Sequence, residues 1–305
     1  MTSERNAVRE RAEWYENRIK ASCEDWCGIV GNALEIDEKE MENFLGRTDE
    51  FKAIIARYLV YEARQLTVEH HQADEDQVPP LFDHYYSRYE PLPVEEQVAL
   101  LKEMIPELKK ADLTLAAGQM PEGAEGYFAI PRWDALADTY ENALQRMFDL
   151  LYQYRYWDIC EGERKGKFFN YRAGRLSENY LRKNKRSQDM WRELCKEQPG
   201  CDILVVPAQF GLRHAGKTVR RVRETLAKNE FGLDTFAVGA MLLTHPRRVV
   251  EYDDLWMYCP GDEYSLHGDG HYDCTPLYFF NTGQMEMDVI NYESFRSGSV
   301  TGFIC

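Results

Sequence analysis

A glycine-rich segment of the chain has the spacing of a phosphate-binding loop. Gly211 is followed, after four residues, by Gly216, Lys217 and Thr218. In such a loop, backbone N–H groups at a helix start surround the phosphates, the lysine binds the outer phosphates, and the threonine hydroxyl binds Mg²⁺. An apolar run at 202–206 predicts a buried strand before the motif, and the pattern after it predicts a helix. The motif therefore lies in the setting that its chemistry requires.

Other features of the sequence argue against a nucleotide hydrolase. Residues 207–210 separate the predicted strand from Gly211, whereas the strand usually leads directly into the loop. Only 87 residues follow Thr218, and their pattern predicts hairpins rather than alternating strands and helices. Three interpretations stay open: a phosphate loop, a more general anion site at a helix N-terminus, and a structural glycine turn.

The same segment belongs to a basic island, residues 164–223, in an acidic chain. The island holds sixteen Lys and Arg against five Asp and Glu, while the whole chain has a formal net charge of −15. Aromatic residues are interleaved with these cations, and cations beside flat rings suit a polyanion whose bases stack. Alternatively, the acidic N-terminal helices cover the island and the aromatic side chains form part of the core.

The residues expected to bind phosphate or nucleic acid follow from this island. The primary set lies in or after the glycine motif, and the secondary set lies earlier in the island. The primary residues are Arg213, His214, Lys217, Thr218, Arg220 and Arg221, and the secondary residues are Arg172, Lys183, Lys185 and Arg186.

A second cluster has the residue types of a metal site. His267, Asp269, His271 and Asp273 alternate along the chain, and in an extended segment alternate side chains point the same way. Two imidazoles with one or two carboxylates suit Zn²⁺, Mn²⁺ or Fe²⁺ and would permit water activation. The alternative is a solvated polar connection between two strands.

The elements that must position these residues predict an α+β protein. Charged amphipathic helices predict an acidic helical domain over residues 1–118, and Gly and Pro predict a linker at 119–132. Residues 133–305 predict a mixed α/β domain that ends in an antiparallel, hairpin-rich sheet. Within it we expect helices at 134–160, 177–198, 217–228 and 235–244, and strands at 255–259, 277–281, 285–290 and 300–304.

Several segments resemble uncharacterised predicted bacterial proteins. These are GYFAIPRW (126–133), ILVVPAQFGLRHAGKTVRRVRE (203–224), NEFGL (229–233) and VGAMLLTHPRR (238–248). The resemblance covers roughly residues 126–305. It implies no activity and no catalytic residue, because none is known for that group.

Together these patterns predict binding of a phosphate-bearing ligand, with nucleic acid ahead of a mononucleotide. The alternatives are a metal-dependent hydrolase or nuclease at the His267–Asp273 loop, and a non-catalytic module whose acidic helices bind a protein partner. The start of the chain has no apolar segment, which predicts no signal peptide. Eight cysteines without such a signal predict reduced thiols in the cytoplasm. No apolar run is long enough for a bilayer, so no membrane partner is expected.

Overall fold

The computed structural model describes residues 84–154 (except 86 and 88), 167–250, 254–281, 283–290 and 296–304. All of these belong to one compact unit. The α-helices are α1 (Val94–Met104), α2 (Tyr140–Tyr154), α3 (Lys185–Glu197), α4 (Val219–Thr225) and α5 (Thr235–Thr244). The strands are β1 (Gly126–Pro131), β2 (Lys167–Asn170), β3 (Leu181–Lys183), β4 (Ile203–Gln209), β5 (Glu230–Gly232), β6 (Trp256–Tyr258), β7 (Asp262–Tyr264), β8 (Thr275–Asn281), β9 (Gln284–Ile290), β10 (Ser297–Ser299) and β11 (Thr301–Phe303).

Two larger sheets and one short ribbon organise these strands. The first sheet is antiparallel, with the order β1-β4-β11-β5. The second has the order β10-β6-β8-β9-β2, and its outer pairs β10–β6 and β9–β2 are parallel. Strands β3 and β7 form the antiparallel ribbon. The antiparallel sheet, the mixed sheet and the helices together confirm the α+β class.

Helix α5 is the centre of the core. All ten of its residues are buried, as its continuous apolar sequence predicts. It packs against α2 and β1, and Gly239 lets Met147 and Tyr278 approach its backbone. The carboxylate of Asp234 caps its start by accepting from the Ala237 N–H at 2.8 Å.

The predicted helix at 177–198 is wrong over its first eight residues, 177–184. Residues 181–183 form strand β3 and pair with β7, and helix α3 begins only at Lys185. Asn184 marks this start, because its side chain accepts from the Ser187 N–H at 2.9 Å. Helix α2 also begins later than predicted, at Tyr140, after a 3₁₀ turn at Trp133–Ala135.

Strand β4 is longer than predicted and runs through Pro207 to Gln209. Pro207 pairs with Tyr127 of β1, so only Phe210 separates the strand from Gly211. Strand β1 lies within 119–132, the segment predicted as a linker. The boundary of the predicted acidic domain stays a prediction, because most of residues 1–118 lies outside the described residues.

The predicted protein partner of that acidic part is likewise untested. Island residues Arg164 and Lys165 also lie outside the described residues. None of the described helices is both long and apolar enough to cross a membrane. The cysteines that are described, Cys195, Cys201, Cys259 and Cys274, are free thiols.

Candidate functional site

A cavity of about 950 Å³ opens beside strand β3. Small-molecule sites commonly have volumes of about 300–1,000 Å³. The cavity is bounded by the end of β1, by the starts of α2 and α5, and by β3 and α3. Its apolar and aromatic lining includes Ile130, Trp133, Trp191, Leu204, Phe236 and Tyr272. These walls suit one ligand that carries a flat or apolar part.

Lys183 and Asp234 lie together in the lining of this cavity. The Lys183 ammonium donates to Asp234 Oδ2 at 2.7 Å, and both side chains are largely buried. The Lys183 nitrogen also lies 4.1 Å from the ring centroid of Tyr140 and 5.8 Å from that of Trp133. An ammonium has three N–H groups, and this one makes a single hydrogen bond to the described residues. The geometry therefore leaves it capacity to bind an anion in the cavity.

A second carboxyl group, that of Asp262, is buried next to this pair. Its Oδ2 accepts from the Thr235 N–H at 2.8 Å and from the Tyr140 hydroxyl at 2.9 Å. Its Oδ1 is buried and has no hydrogen-bond partner among the described residues. Burial, and then the neighbouring charge of Asp234, raise the pKa of the Asp262 carboxyl to about 7. The cluster thus places a titrating carboxyl one hydrogen bond behind Tyr140, which lines the cavity.

We expect Asp262→Asn to stabilise the protein at alkaline pH. An unfolded Asp ionises near pH 4, whereas folded Asp262 keeps its proton to about pH 7. Because the native state binds more protons, wild-type stability falls as pH rises through this window. Asn does not titrate, so at pH 8–9 the free energy of unfolding of the variant should exceed that of wild type by as much as about 4 kcal/mol, because each of the three pH units between the two pKa values contributes about 1.4 kcal/mol. Near pH 4 this gain should be absent.

Urea unfolding at intervals from pH 4 to pH 9 measures this difference. Asp273→Asn, at an exposed position, is the control and should show no comparable pH-dependent gain. A stability difference for Asp262→Asn that is constant over the pH range would contradict the expectation.

Three cations of the basic island lie around the cavity with Lys183. Arg182 contacts Glu263 at 2.8 Å and stacks on Tyr272, with its guanidinium carbon 3.9 Å from the ring centroid. Arg192 pairs with Asp189 at 2.7 Å, and Lys196 pairs with Glu193 at 2.7 Å. These three side chains are more than half exposed, so their pairs are weak and can rearrange around a ligand.

The glycine motif forms a tight turn rather than an open loop. Leu212–His214 is a short 3₁₀ turn, and Gly211 adopts a φ of +112° directly against the backbone of Gly298. The N–H groups of 211, 212 and 214–217 donate to acceptors within the protein. Thr218 caps α4, since its hydroxyl accepts from the Arg221 N–H at 2.9 Å. The phosphate-loop interpretation stays a prediction, but this hydrogen bonding favours the structural turn.

His214 and Arg213 of the motif contact a buried carboxylate, that of Glu230. His214 is buried and its Nε2 lies 2.7 Å from Glu230 Oε1, while Arg213 Nε lies 3.4 Å from the same oxygen. Lys217 is half-buried at the surface. Arg220 and Arg221 lie on α4 beside Glu224, at 3.9 Å and 3.6 Å. These residues therefore do not converge on the cavity.

The other residues of the secondary phosphate-binding set contact different parts of the protein and do not form one group. Arg172 pairs with Asp288 at 2.5 Å, and exposed Lys185 pairs with Asp189 at 2.5 Å. Arg186 donates to the carbonyl oxygens of Ala227 and Glu230. Lys183 is one of the ten predicted phosphate-binding residues and lines the cavity, whereas the other nine are not part of the cavity lining.

The predicted metal ligands lie on an exposed loop between β7 and β8. Asp269 accepts from the Ser265 hydroxyl at 3.0 Å and from the His271 N–H at 3.1 Å, so it stabilises the turn. His267, His271 and Asp273 are exposed. Within the described part of the chain, no group of three or more His, Cys, Asp or Glu side chains is arranged to hold a metal ion. Metal binding here stays a prediction from spacing alone.

The sequence patterns do not identify Trp133, Tyr140, Asp234 and Asp262 as members of one site. Asp234 carries a detectable signal, because an Asp directly before an apolar helix predicts an N-cap. That signal indicates a helix start and not a site. The remaining three residues come from different elements, and only the fold brings them together.

Comparison with known proteins assigns this site to no class. No family model, curated protein or solved structure matches the chain.

Proposed function

We propose that the protein binds a small phosphate-bearing ligand with a flat ring, such as a mononucleotide, in the cavity beside β3. One observation carries the proposal: a group of cations lines a cavity together with two tryptophans and two tyrosines. The five cations, which outnumber the four carboxylates of the lining, are Arg132, Arg182, Lys183, Arg192 and Lys196. Phosphate groups bind to Lys and Arg through charge-assisted hydrogen bonds. Bases stack on aromatic rings with little dependence on sequence.

The geometry favours a small ligand over a nucleic-acid polymer. Outside the cavity, three island cations have contacts that are less exposed than the pairs of Arg182, Arg192 and Lys196. These are Arg172 with Asp288, Arg213 with Glu230, and Arg186 with backbone carbonyls. A polymer would need a continuous row of available cations along its backbone. The cavity instead offers a bounded site, so we rank a mononucleotide ahead of nucleic acid.

Two double variants with equal charge changes distinguish these cases. Arg182→Gln with Arg192→Gln removes two cations beside the cavity, and Arg220→Gln with Arg221→Gln removes two from the outer island. Calorimetric titration would use adenosine 5′-monophosphate, adenosine and inorganic phosphate, and a labelled ten-nucleotide RNA at two salt concentrations would test the polymer. Circular dichroism would establish that each variant is folded.

We expect the cavity variant to bind the mononucleotide about tenfold more weakly, with about 0.7 kcal/mol lost for each exposed contact. The outer variant should change the mononucleotide affinity less than twofold. Adenosine should bind more weakly than its monophosphate, because it lacks the anion. Salt-sensitive RNA binding that only the outer variant loses, without mononucleotide binding, would overturn the proposal in favour of nucleic acid.

A further inference from the structure

The cluster beside the cavity holds two carboxyl groups and one nearby ammonium. Lys183 Nζ contacts Asp234, whose other oxygen accepts from the Ala237 N–H. Among the described residues no cation contacts the Asp262 carboxyl group: the Tyr140 hydroxyl and the Thr235 N–H both donate to Oδ2, and Oδ1 has no hydrogen-bond partner. Oδ1 is therefore the oxygen that can carry a proton.

The other titratable groups near Asp262 do not replace that cation. Arg223 donates to the backbone carbonyls of Pro260 and Asp262, at 3.0 Å and 2.7 Å, and also lies near Glu263. Tyr140, Cys259 and Tyr278 stay neutral, because burial raises the pKa of each of these groups. In the described part of the chain, the charged and titratable groups facing Asp262 are thus Lys183, Asp234, Arg223, Tyr140, Cys259 and Tyr278.

A bound phosphate must change this balance. An anion that contacts Lys183 competes with Asp234 for the ammonium and adds negative charge beside the two carboxyl groups. Like charges at short range favour the neutral form of a carboxyl group. We propose that ligand binding in the cavity is coupled to the uptake of one proton from solvent onto Oδ1 of Asp262. This inference rests on the proposed function, since it requires an anion in the cavity.

The coupling gives the site a preference for anions and a defined pH dependence. Between pH 9 and pH 7 affinity should rise as pH falls, by at most about tenfold per pH unit for one proton. The second ionisation of a phosphate monoester lies near pH 6, so the ligand keeps its charge over this range. A neutral ligand such as adenosine should bind without proton uptake.

Calorimetric titration with adenosine 5′-monophosphate at pH 7.5 tests the coupling directly. The full chain is titrated in buffers with different ionisation enthalpies, and the slope of the observed heat gives the protons bound per ligand. Wild type should take up a substantial fraction of one proton. Asp262→Asn should bind the ligand with uptake close to zero, and Asp273→Asn should behave as wild type.

The outcomes separate the two proposals. No binding heat in wild type overturns the proposed function, and the coupling with it. Binding without proton uptake, or uptake that Asp262→Asn retains, overturns the coupling alone.

If Asp262→Asn does not fold, Tyr140→Phe is the replacement variant. It keeps the ring beside Lys183 and removes a hydrogen bond that favours the charged carboxylate of Asp262. Maximal uptake should then move to higher pH, and an unchanged pH profile would overturn the coupling.

Infrared difference spectra of wild type give an independent measurement. A protonated carboxyl band should appear on addition of the monophosphate and should be absent with adenosine. A spectrum without this band at saturating monophosphate would contradict the coupling.

Discussion

Glu230→Ala should lower the free energy of unfolding by about 4 kcal/mol, because it removes a buried acceptor that several donors share. Glu230 Oε1 accepts from the Thr301 hydroxyl at 2.7 Å and lies 2.7 Å from His214 Nε2. Its Oε2 accepts from the Ala227 N–H at 3.2 Å. Without the carboxylate these buried groups lose their partner, and each unsatisfied group costs about 1–3 kcal/mol.

Because the pKa of Glu230 is lowered in the folded protein, we expect the wild type to lose stability in acid. Hydrogen bonds from His214 and Thr301 outweigh the effect of burial and lower the pKa of Glu230 to about 2. Its contribution is therefore complete above the unfolded pKa of about 4.3 and is lost as pH falls toward 2. The stability difference between wild type and Glu230→Ala should shrink over that interval.

Chemical unfolding at pH 7 and at intervals down to pH 2.5 measures both effects. The control is Glu224→Ala, which removes a half-exposed carboxylate from α4. Exposed ion pairs contribute about 0–1 kcal/mol, so the control should change stability by less than 1 kcal/mol. Equal losses for the two variants would show that the Glu230 network does not stabilise the fold.

The sequence predicts best those elements whose pattern is local. Helix α5 has the predicted bounds, because an apolar run lies between an N-cap at Asp234 and Pro246. Strands β8 and β9 form an antiparallel pair that includes the strands predicted at 277–281 and 285–290. Strand β3 was missed because its three residues are held by β7, some eighty residues later. Such pairing has no signal in the segment itself.

The candidate site was predictable only in part for the same reason. Lys183 was in the predicted phosphate-binding set, but only as one of many cations. Tyr140, Asp234 and Asp262 are ordinary polar residues in three separate segments, and their hydrogen bonds form only after α2, α5 and β7 have packed. His214 was predicted to bind phosphate or nucleic acid because it lies within a basic motif, whereas the fold buries it beside Glu230. Its partner Glu230 and its burial depend on how β5 packs.

Gly261→Ala should disrupt both the fold and the cavity cluster. Gly261 precedes Asp262, and an added Cβ would lie 2.6 Å from the backbone N of Asp234, the O of Gly232 and the carbonyl carbon of Leu233. Its own N–H donates to Leu233 O at 2.9 Å, and its carbonyl accepts from the Asn184 N–H at 2.9 Å. Three segments therefore meet at this glycine with backbone against backbone, which leaves no flexible side chain to move aside.

We expect a loss of about 3 kcal/mol or more for Gly261→Ala, at the upper end of overpacking costs, and loss of mononucleotide binding in whatever fraction stays folded. Gly270→Ala is the matched control, since Gly270 has a φ of +87° and open space around its Cβ position. That substitution carries backbone strain alone and should cost about 1 kcal/mol. Unfolding midpoints and calorimetric titration of both variants measure the difference. Equal losses of stability for the two variants would mean that the β5–α5 connection can move to accommodate the added methyl group. The connection would then not hold Asp234 in a fixed position beside Asp262.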